Sequence, residues 1–275
     1  LTHLAWIALS LVPGIGGITF RELLRHFETA DQVLEAHRDE LIAVRGVGKK
    51  IAASICAIDL PSLERRIFSW QKKEVTCLTW QDSHYPQTLM DCQDAPPTLF
   101  VKGTLPPLHH PHTAIVGTRQ PSQHAHTATC RVAEELARQG HVIISGLALG
   151  IDTLALQSAV CHHPTIAVLG SGILKPYPYQ NQNLAQRIVE GGALVCEVAP
   201  DERVSIQGLV ARNRIIAGLS HTTLIVETEL DGGAMYAARA AIHYGRVLQA
   251  FPFEHASGNV SLLENRVAFP YPLPA

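Results

Sequence analysis

From residue 113 onward, short runs rich in Val, Ile and Leu alternate with stretches of helical spacing, and this alternation constrains the fold more than any other feature. The apolar runs lie at 114–116, 142–144, 166–169, 193–198, 224–226 and 247–251. The helix-like segments fall at about 124–139, 152–160, 180–190, 212–219 and 234–244. Apolar runs without period-two alternation are what strands covered on both faces look like. The pattern predicts an α/β fold, an open and mainly parallel sheet with helices on both faces. Right-handed crossovers gather the loops that follow the strands along one edge, and ligands of such sheets bind outside the carboxyl ends of the strands.

The rest of the chain has a different texture. Residues 1–62 read as a small all-α domain with two similar punctuations, Val12-Pro13-Gly14-Ile15-Gly16 and Val44-Arg45-Gly46-Val47-Gly48. Residues 63–112 are interrupted by Pro86, Pro96, Pro97, Pro106, Pro107 and Pro111, and read as a linker carrying a few edge strands that pack on the next domain. The expected division is therefore 1–62, 63–112 and 113–275.

Composition narrows the possible partners. Over 275 residues, 47% are apolar and 17% charged, with 22 Lys and Arg against 24 Asp and Glu. A disordered chain or a coiled coil needs far more charge, and a general phosphate-neutralising coat needs an excess of cations. Neither long part supplies one: residues 1–62 hold six cations against seven acids, and residues 113–275 hold eleven against twelve. Any anion site must be local. The six cysteines form no C-x-x-C pair, so no structural zinc or redox motif is expected, and buried reduced thiols in a cytoplasmic protein are the plain reading. Residues 1–10 lack the basic lead-in and cleavage site of a secretory leader, and no unbroken apolar stretch is long enough to span a membrane.

The loops after the strands carry the candidate chemistry. The first strand runs into Gly117-Thr118-Arg119, the second into Ser145-Gly146-Leu147-Ala148-Leu149-Gly150-Ile151-Asp152, and the third into Gly170-Ser171-Gly172. Glycines at strand-to-helix turns let backbone amides approach a phosphate. Thr118 and Ser145 add hydroxyls, and Arg119 adds a permanent forked cation. Tight-turn glycines with no ligand are the plainer alternative. Arg212-Asn213-Arg214 stands at the start of a helix, where arginines are unusual unless an anion is held; ion pairs with Glu197 or Glu227 are the alternative. Residues 227–233 could contact the same ligand, although their three acids read more easily as solvated turn residues. No G-x-G-x-x-G dinucleotide fingerprint follows the first strand, and no P-loop or G-x-S-x-G nucleophile turn occurs. No catalytic residue, metal ligand or cofactor is predicted, and neither His109-His110-Pro111-His112 nor His162-His163 has helical ligand spacing. In the N-terminal part, Gly46, Gly48, Lys49 and Lys50 suit a helix-hairpin-helix turn that grips DNA phosphate, although a packing or partner-binding role for this net-acidic segment is an equal alternative.

Taken together, Ile115-Val116-Gly117-Thr118-Arg119, the 145–152 run, Thr165-Ile166-Ala167-Val168-Leu169-Gly170-Ser171-Gly172 and Arg212-Asn213-Arg214-Ile215-Ile216-Ala217-Gly218 resemble the DNA-processing protein A (DprA/Smf) family. The N-terminal hairpins are similar to its SAM-like or helix-hairpin-helix domain. The resemblance implies an extended Rossmann-like domain that binds single-stranded DNA, a homodimer, and delivery of the recombinase RecA to incoming DNA during natural transformation. It implies phosphate contacts from Arg119, Arg212 and Arg214, amides from the turns at Ser145, Gly146, Gly150, Gly170, Ser171 and Gly172, and a further cation at Lys175. Three features depart from the family pattern. Leu209-Val210 replaces Phe-Pro, Asp231-Gly232-Gly233 replaces Ser-Gly-Ser, and Phe251-Pro252-Phe253 ends the last strand in place of Val-Pro-Gly. Many relatives continue into a winged-helix domain, which is not read in the tail at 269–275. Two further readings are a LOG-type phosphoribohydrolase, disfavoured because the 231–236 segment lacks that group's glycine, threonine and acid, and a sensor of a nucleotide ligand.

Overall fold

In a computed structural model that describes residues 2–107 and 110–272, the chain packs as two units, Leu1–Phe100 and Val101–Ala275. The first begins with five helices: α1 (Thr2–Ser10), α2 (Gly17–Phe27), α3 (Ala30–Glu35), α4 (Arg38–Ala43) and α5 (Lys49–Cys56). Their starts follow local chemistry. Thr29 and Gln32 form a reciprocal capping box on α3, and the Glu40 carboxylate accepts the His37 amide ahead of α4, each pair satisfying amides that a helix start leaves bare.

The two glycine punctuations are equivalent in space as well as in sequence. Val12 N–H bonds to Leu9 O and Val44 N–H to Leu41 O; Ile15 N–H bonds to Val12 O and Val47 N–H to Val44 O. Gly14 and Gly46 both take positive φ, 93° and 88°, a region that only glycine enters without cost. A Cβ on Gly14 would meet Ile51, five residues past Gly46, and a Cβ on Gly46 would meet Thr19, five residues past Gly14. Each hairpin turn therefore rests on the second helix of the other hairpin, around a core of Leu9, Phe20, Leu23, Leu41, Ala52 and their neighbours.

The expected linker is more ordered than its prolines suggest. A helix, α6 (Leu60–Gln71), runs through the expected boundary at 62/63. Asp59 caps it by accepting the Ser62 amide, and Pro61 sits in the first turn, where a missing N–H costs nothing. Strand β1 (Val75–Thr79) and the short α7 (Gln87–Met90) follow, and β2 (Thr98–Gly103) straddles the division after Phe100. The Pro96 and Pro97 carbonyls accept from three buried or part-buried aromatic donors, Trp80, Tyr85 and Trp6. Those bonds join the proline segment to the helical core, so residues up to 100 belong with the hairpins.

The second unit is the expected parallel sheet. Its elements are β3 (His112–Val116), α8 (Gln123–Arg138), β4 (Val142–Ser145), α9 (Ile151–Ala159), β5 (Thr165–Val168), α10 (Gln182–Gly191), β6 (Ala193–Cys196), α11 (Ile206–Ala211), α12 (Asn213–Gly218), β7 (Thr222–Ile225), α13 (Ala234–His243), β8 (Val247–Ala250), α14 (Ser257–Glu264) and β9 (Phe269–Pro270). The strands stand in the order β6-β5-β4-β3-β7-β8-β9, every pair parallel, with Ile115 beside Leu224 and Ile144 beside Ile166. Strands β3 to β6 are buried along their whole length, as continuous apolar runs require. The chain proceeds outward from β3 to β6 and then returns to lay β7 against the other side of β3. Right-handed crossovers place α8 to α10 on one face and α12 and α13 on the other; α8 packs on α9, and α12 on α13. Helices α11 and α14 were not expected from the sequence. Both are short, and their apolar residues are interrupted by Gly208, Gly258 and Asn259.

Candidate functional site

The strand order reverses between β3 and β7, and a crevice opens at the carboxyl ends of strands at such a point. Here it is a cleft of about 630 Å³ lined by Gly117, Thr118 and Arg119 after β3, Ala148 and Asp152 after β4, Leu209, Arg212 and Asn213 from α11 and α12, and Asp231 to Gly233 after β7. A smaller adjoining hollow shares Arg119, Ala148, Leu209 and Arg212, and adds Leu149, Tyr177 and Pro178.

The two arginines of this cleft differ. Arg119 is exposed. Arg212 is buried, its Nη1 donating to Val168 O at 2.7 Å and its Nη2 lying 3.6 Å from Asp152. Asp152 in turn accepts the amides of Gly146 at 3.0 Å and Ala148 at 3.4 Å. Between them Leu147 takes a positive φ of 59°, so the turn forms a concave array of amides of the kind that holds anions. The anion it holds is the chain's own carboxylate. Burial pushes the Asp152 carboxyl above the ordinary carboxylate range, and Arg212 and the two amides oppose that push. Burial also lowers Arg212, yet a guanidinium stays charged at any pH where a protein folds.

Several expected phosphate donors are likewise engaged internally. The Ser145 hydroxyl donates to Ile115 O, the Thr118 amide to Glu227 O and the Gly172 amide to Glu202 O. The glycines serve close packing: a Cβ on Gly117 would lie 2.6 Å from Ile151, one on Gly170 2.7 Å from Leu209 Cα, and one on Gly172 2.4 Å from Pro200 O. Gly150, at φ 78°, sits against the backbone of Thr118 and Arg119. Ser171 is buried, and its hydroxyl has no hydrogen-bond partner among the described residues. Asn213 donates to Gly233 O at 3.4 Å. The expected convergence of three arginines is corrected for Arg214, which lines neither hollow and pairs with Glu197, the alternative noted from the sequence. Lys175 is exposed but also lines neither hollow.

At the opposite edge of the sheet, imidazoles cluster. His112 donates its amide to His221 Nδ1 at 3.1 Å and sets Nδ1 3.0 Å from Leu219 O; His141 Nδ1 lies 2.9 Å from the Thr113 hydroxyl; the rings of His110 and His163 are 4.9 Å apart. Burial pushes His112, His141 and His163 below the usual histidine range. His109 lies outside the described residues. Among those described, no group of three or more His, Cys, Asp or Glu is arranged to hold a metal ion, and no helix is long and apolar enough to cross a membrane. None of the six cysteines forms a disulfide; Cys56 and Cys161 are exposed where burial was expected.

Comparison with known proteins places this architecture. Residues 76–271 match the model of DNA recombination-mediator protein A, and residues 5–58 match a helix-hairpin-helix motif. The protein Smf of Synechocystis is 33% identical over 271 residues, 94% of this chain and 68% of that protein. The chain belongs to the DprA/Smf family. It spans only 54% of the Escherichia coli protein Smf, to which it is 37% identical over 202 residues. DNA processing protein A from Streptococcus pneumoniae superposes with a TM-score of 0.83 at 28% identity, covering 98% of this chain and 95% of that one. DNA processing protein A from Helicobacter pylori, whose structure addresses its single-stranded DNA binding mode, gives 0.66 at 30% identity over 72% of this chain and 90% of that one.

Within this DprA/Smf chain, two of the three departures from the family pattern map onto the cleft, and the third, at Phe251 to Phe253, does not line it. Leu209 lines both hollows, and Asp231 is exposed beside Gly232 and Gly233. Residues that motif reading passed over also line it. Ile206 is 79% exposed, and Leu149 and Tyr177 are about two-fifths exposed. Asn181, buried, donates to Leu147 O and to the Thr153 hydroxyl, bracing the 145–150 turn from the far side. An asparagine at the start of α10 was a weak signal for this; only the fold brings it to the turn.

Proposed function

We propose that this DNA recombination mediator binds single-stranded DNA in the cleft between the β3 and β7 loops, with no catalytic step. The observation that carries the reading is an exposed guanidinium, Arg119, flanked by exposed Leu149, Tyr177 and Ile206 at the carboxyl edge of the sheet. A single strand needs a cation for the phosphate and an apolar or aromatic ledge for the base. Arg212, buried and paired with Asp152, shapes the floor behind Arg119, while its Nε has no hydrogen-bond partner among the described residues. Glu229 and Asp231, which line the same cleft, favour a path in which phosphates run on the Arg119 side. The family relationship supports the finer parts of the proposal: protection of incoming DNA, loading of RecA during natural transformation, and action as a homodimer, whose paired sites supply the avidity that a near-neutral charge balance does not. A second contact at the exposed Gly46, Gly48, Lys49 and Lys50 is supported by the helix-hairpin-helix match.

The test is fluorescence anisotropy with an oligodeoxythymidylate at several salt concentrations, with AMP as competitor. Tight binding indifferent to AMP is expected, and Arg119→Ala is expected to weaken it and reduce the log–log salt slope by about 0.7, the share of one single-strand phosphate contact. Displacement by AMP would favour the nucleotide sensor, and release of adenine the phosphoribohydrolase.

A further inference from the structure

Glu227 presents a paradox for a DNA-binding site. It stands two residues past the end of β7, immediately before a cleft proposed to receive a polyanion, yet its carboxylate is almost fully buried and does not line that cleft. Its contacts explain why it is there. The loop that carries Arg119 leaves β3 at Gly117 and ends at Ser122, the N-cap of α8. Both ends of that loop are fastened to Glu227: the Thr118 amide donates to its backbone carbonyl at 2.7 Å, and the Ser122 amide to its carboxylate Oε2 at 2.7 Å. Arg119, Gln120 and Pro121 project between the two anchors.

The carboxylate is itself held in orientation. Its other oxygen, Oε1, lies 2.5 Å from His255 Nε2, which leaves Oε2 directed at Ser122. The backbone on either side is fixed by one fully buried side chain of α14. Asn259 donates to Val226 O at 2.8 Å and accepts the Thr228 amide at 2.9 Å. A chain of short, directional contacts thus runs from α14 through Glu227 to the loop that presents the exposed arginine.

We propose that Glu227 is the positioning residue of the nucleic-acid site, an acid that strengthens DNA binding by holding the Arg119 loop in its binding geometry. The inference rests on the reading of Arg119 as the phosphate contact. It reverses the usual sign, since a carboxylate near a phosphate backbone opposes binding and its neutralisation should help. Reach and charge can be separated. Glu227→Gln removes the charge but keeps an oxygen at the same reach for the Ser122 amide. Glu227→Asp keeps the charge but shortens the reach by a methylene, so one anchor is lost.

The experiment is oligodeoxythymidylate binding by the full chain, wild type and both variants, each first checked by thermal melting. Glu227→Gln is expected to bind like wild type. Glu227→Asp is expected to bind about tenfold more weakly, as the loss of one charge-assisted contact predicts. Its salt slope should fall by about 0.7, with no further loss when it is combined with Arg119→Ala. Tighter binding by Glu227→Gln with unchanged binding by Glu227→Asp would show a mere nearby charge and overturn the proposal. Hydrogen exchange at the Ser122 amide reads the carboxylate anchor without DNA, and the Thr118 amide, held by the backbone carbonyl, serves as the reference. Faster exchange in Glu227→Asp than in Glu227→Gln supports the clamp, and equal exchange overturns it. Failure of the wild type to bind any oligonucleotide, with the exchange difference present, would count against the nucleic-acid reading alone.

Discussion

Two sets of glycines in this protein carry the same sequence signal and do opposite things. At the N-terminal hairpins, Gly16 and Gly48 stand in open space, with nothing within 4 Å of where a Cβ would be. At the sheet edge, Gly117, Gly146, Gly170 and Gly172 are overlaid by backbone, an isoleucine side chain or a guanidinium. A glycine that faces solvent leaves its amide available to a ligand. One that is covered allows two chain segments to touch, and its amide is used within the fold. The hairpin turns therefore expose backbone, whereas the sheet loops consume theirs and leave recognition to side chains, Arg119 above all.

Substitutions test this contrast directly. The largest effect is expected at Gly146, where a methyl group would lie 1.5 Å from Arg212 Nη1. Gly146→Ala must displace the guanidinium from Asp152 and Val168, and breaking a buried pair costs about 3–5 kcal/mol. Urea unfolding measures it; an unchanged midpoint would mean that Arg212 does not occupy the turn. A smaller effect is expected from acid at the histidine edge. His112, His141 and His163 take up protons less readily folded than unfolded. Stability is therefore expected to be retained above about pH 6.5, the unfolded histidine value, and lost progressively below it, because the unfolded chain there binds more protons. Thermal melts between pH 7.5 and 5 should show this, with a flatter slope in His112→Gln; an identical slope would remove His112 from the account. Gly48→Ala should change least. Alanine is a poorer N-cap than glycine by about 0.5–1 kcal/mol, but it lowers the entropy of the unfolded chain by a similar amount. A melting shift of many degrees would show that this turn is packed after all.

The contrast also marks where sequence reasoning succeeds. Strands such as Ala114-Ile115-Val116 and Ile143-Ile144 were legible because burial on both faces demands unbroken apolar runs, and their positions fixed which loops would meet. The roles inside those loops were less legible. Asp152 reads as an ordinary first-turn acid, and nothing local shows that it takes the amides of Gly146 and Ala148 or that Arg212, sixty residues on, neutralises it. Glu227 reads as a turn acid because its partners, Ser122 and His255, are remote in sequence. Proline misled in the other direction. Pro96 and Pro97 suggest irregular connecting chain between edge strands, yet their carbonyls are acceptors for Trp6, Trp80 and Tyr85.

The reciprocal seating of the two hairpins, Gly14 on Ile51 and Gly46 on Thr19, makes the helical unit a dimer within one polypeptide. Neither half has its own partner surface without the other, so the pair folds as one object or not at all. A tethered pair also escapes the obligation of a true homodimer to change both halves together. One copy has used that freedom, with Arg45, Lys49 and Lys50 standing where the other has Pro13, Gly17 and Ile18. Exchanging Arg45 with Pro13 and Lys50 with Ile18 would move two of the three cations to the twin hairpin, whereas Gly17 must stay, because a Cβ there would lie 2.1 Å from Ala95 O.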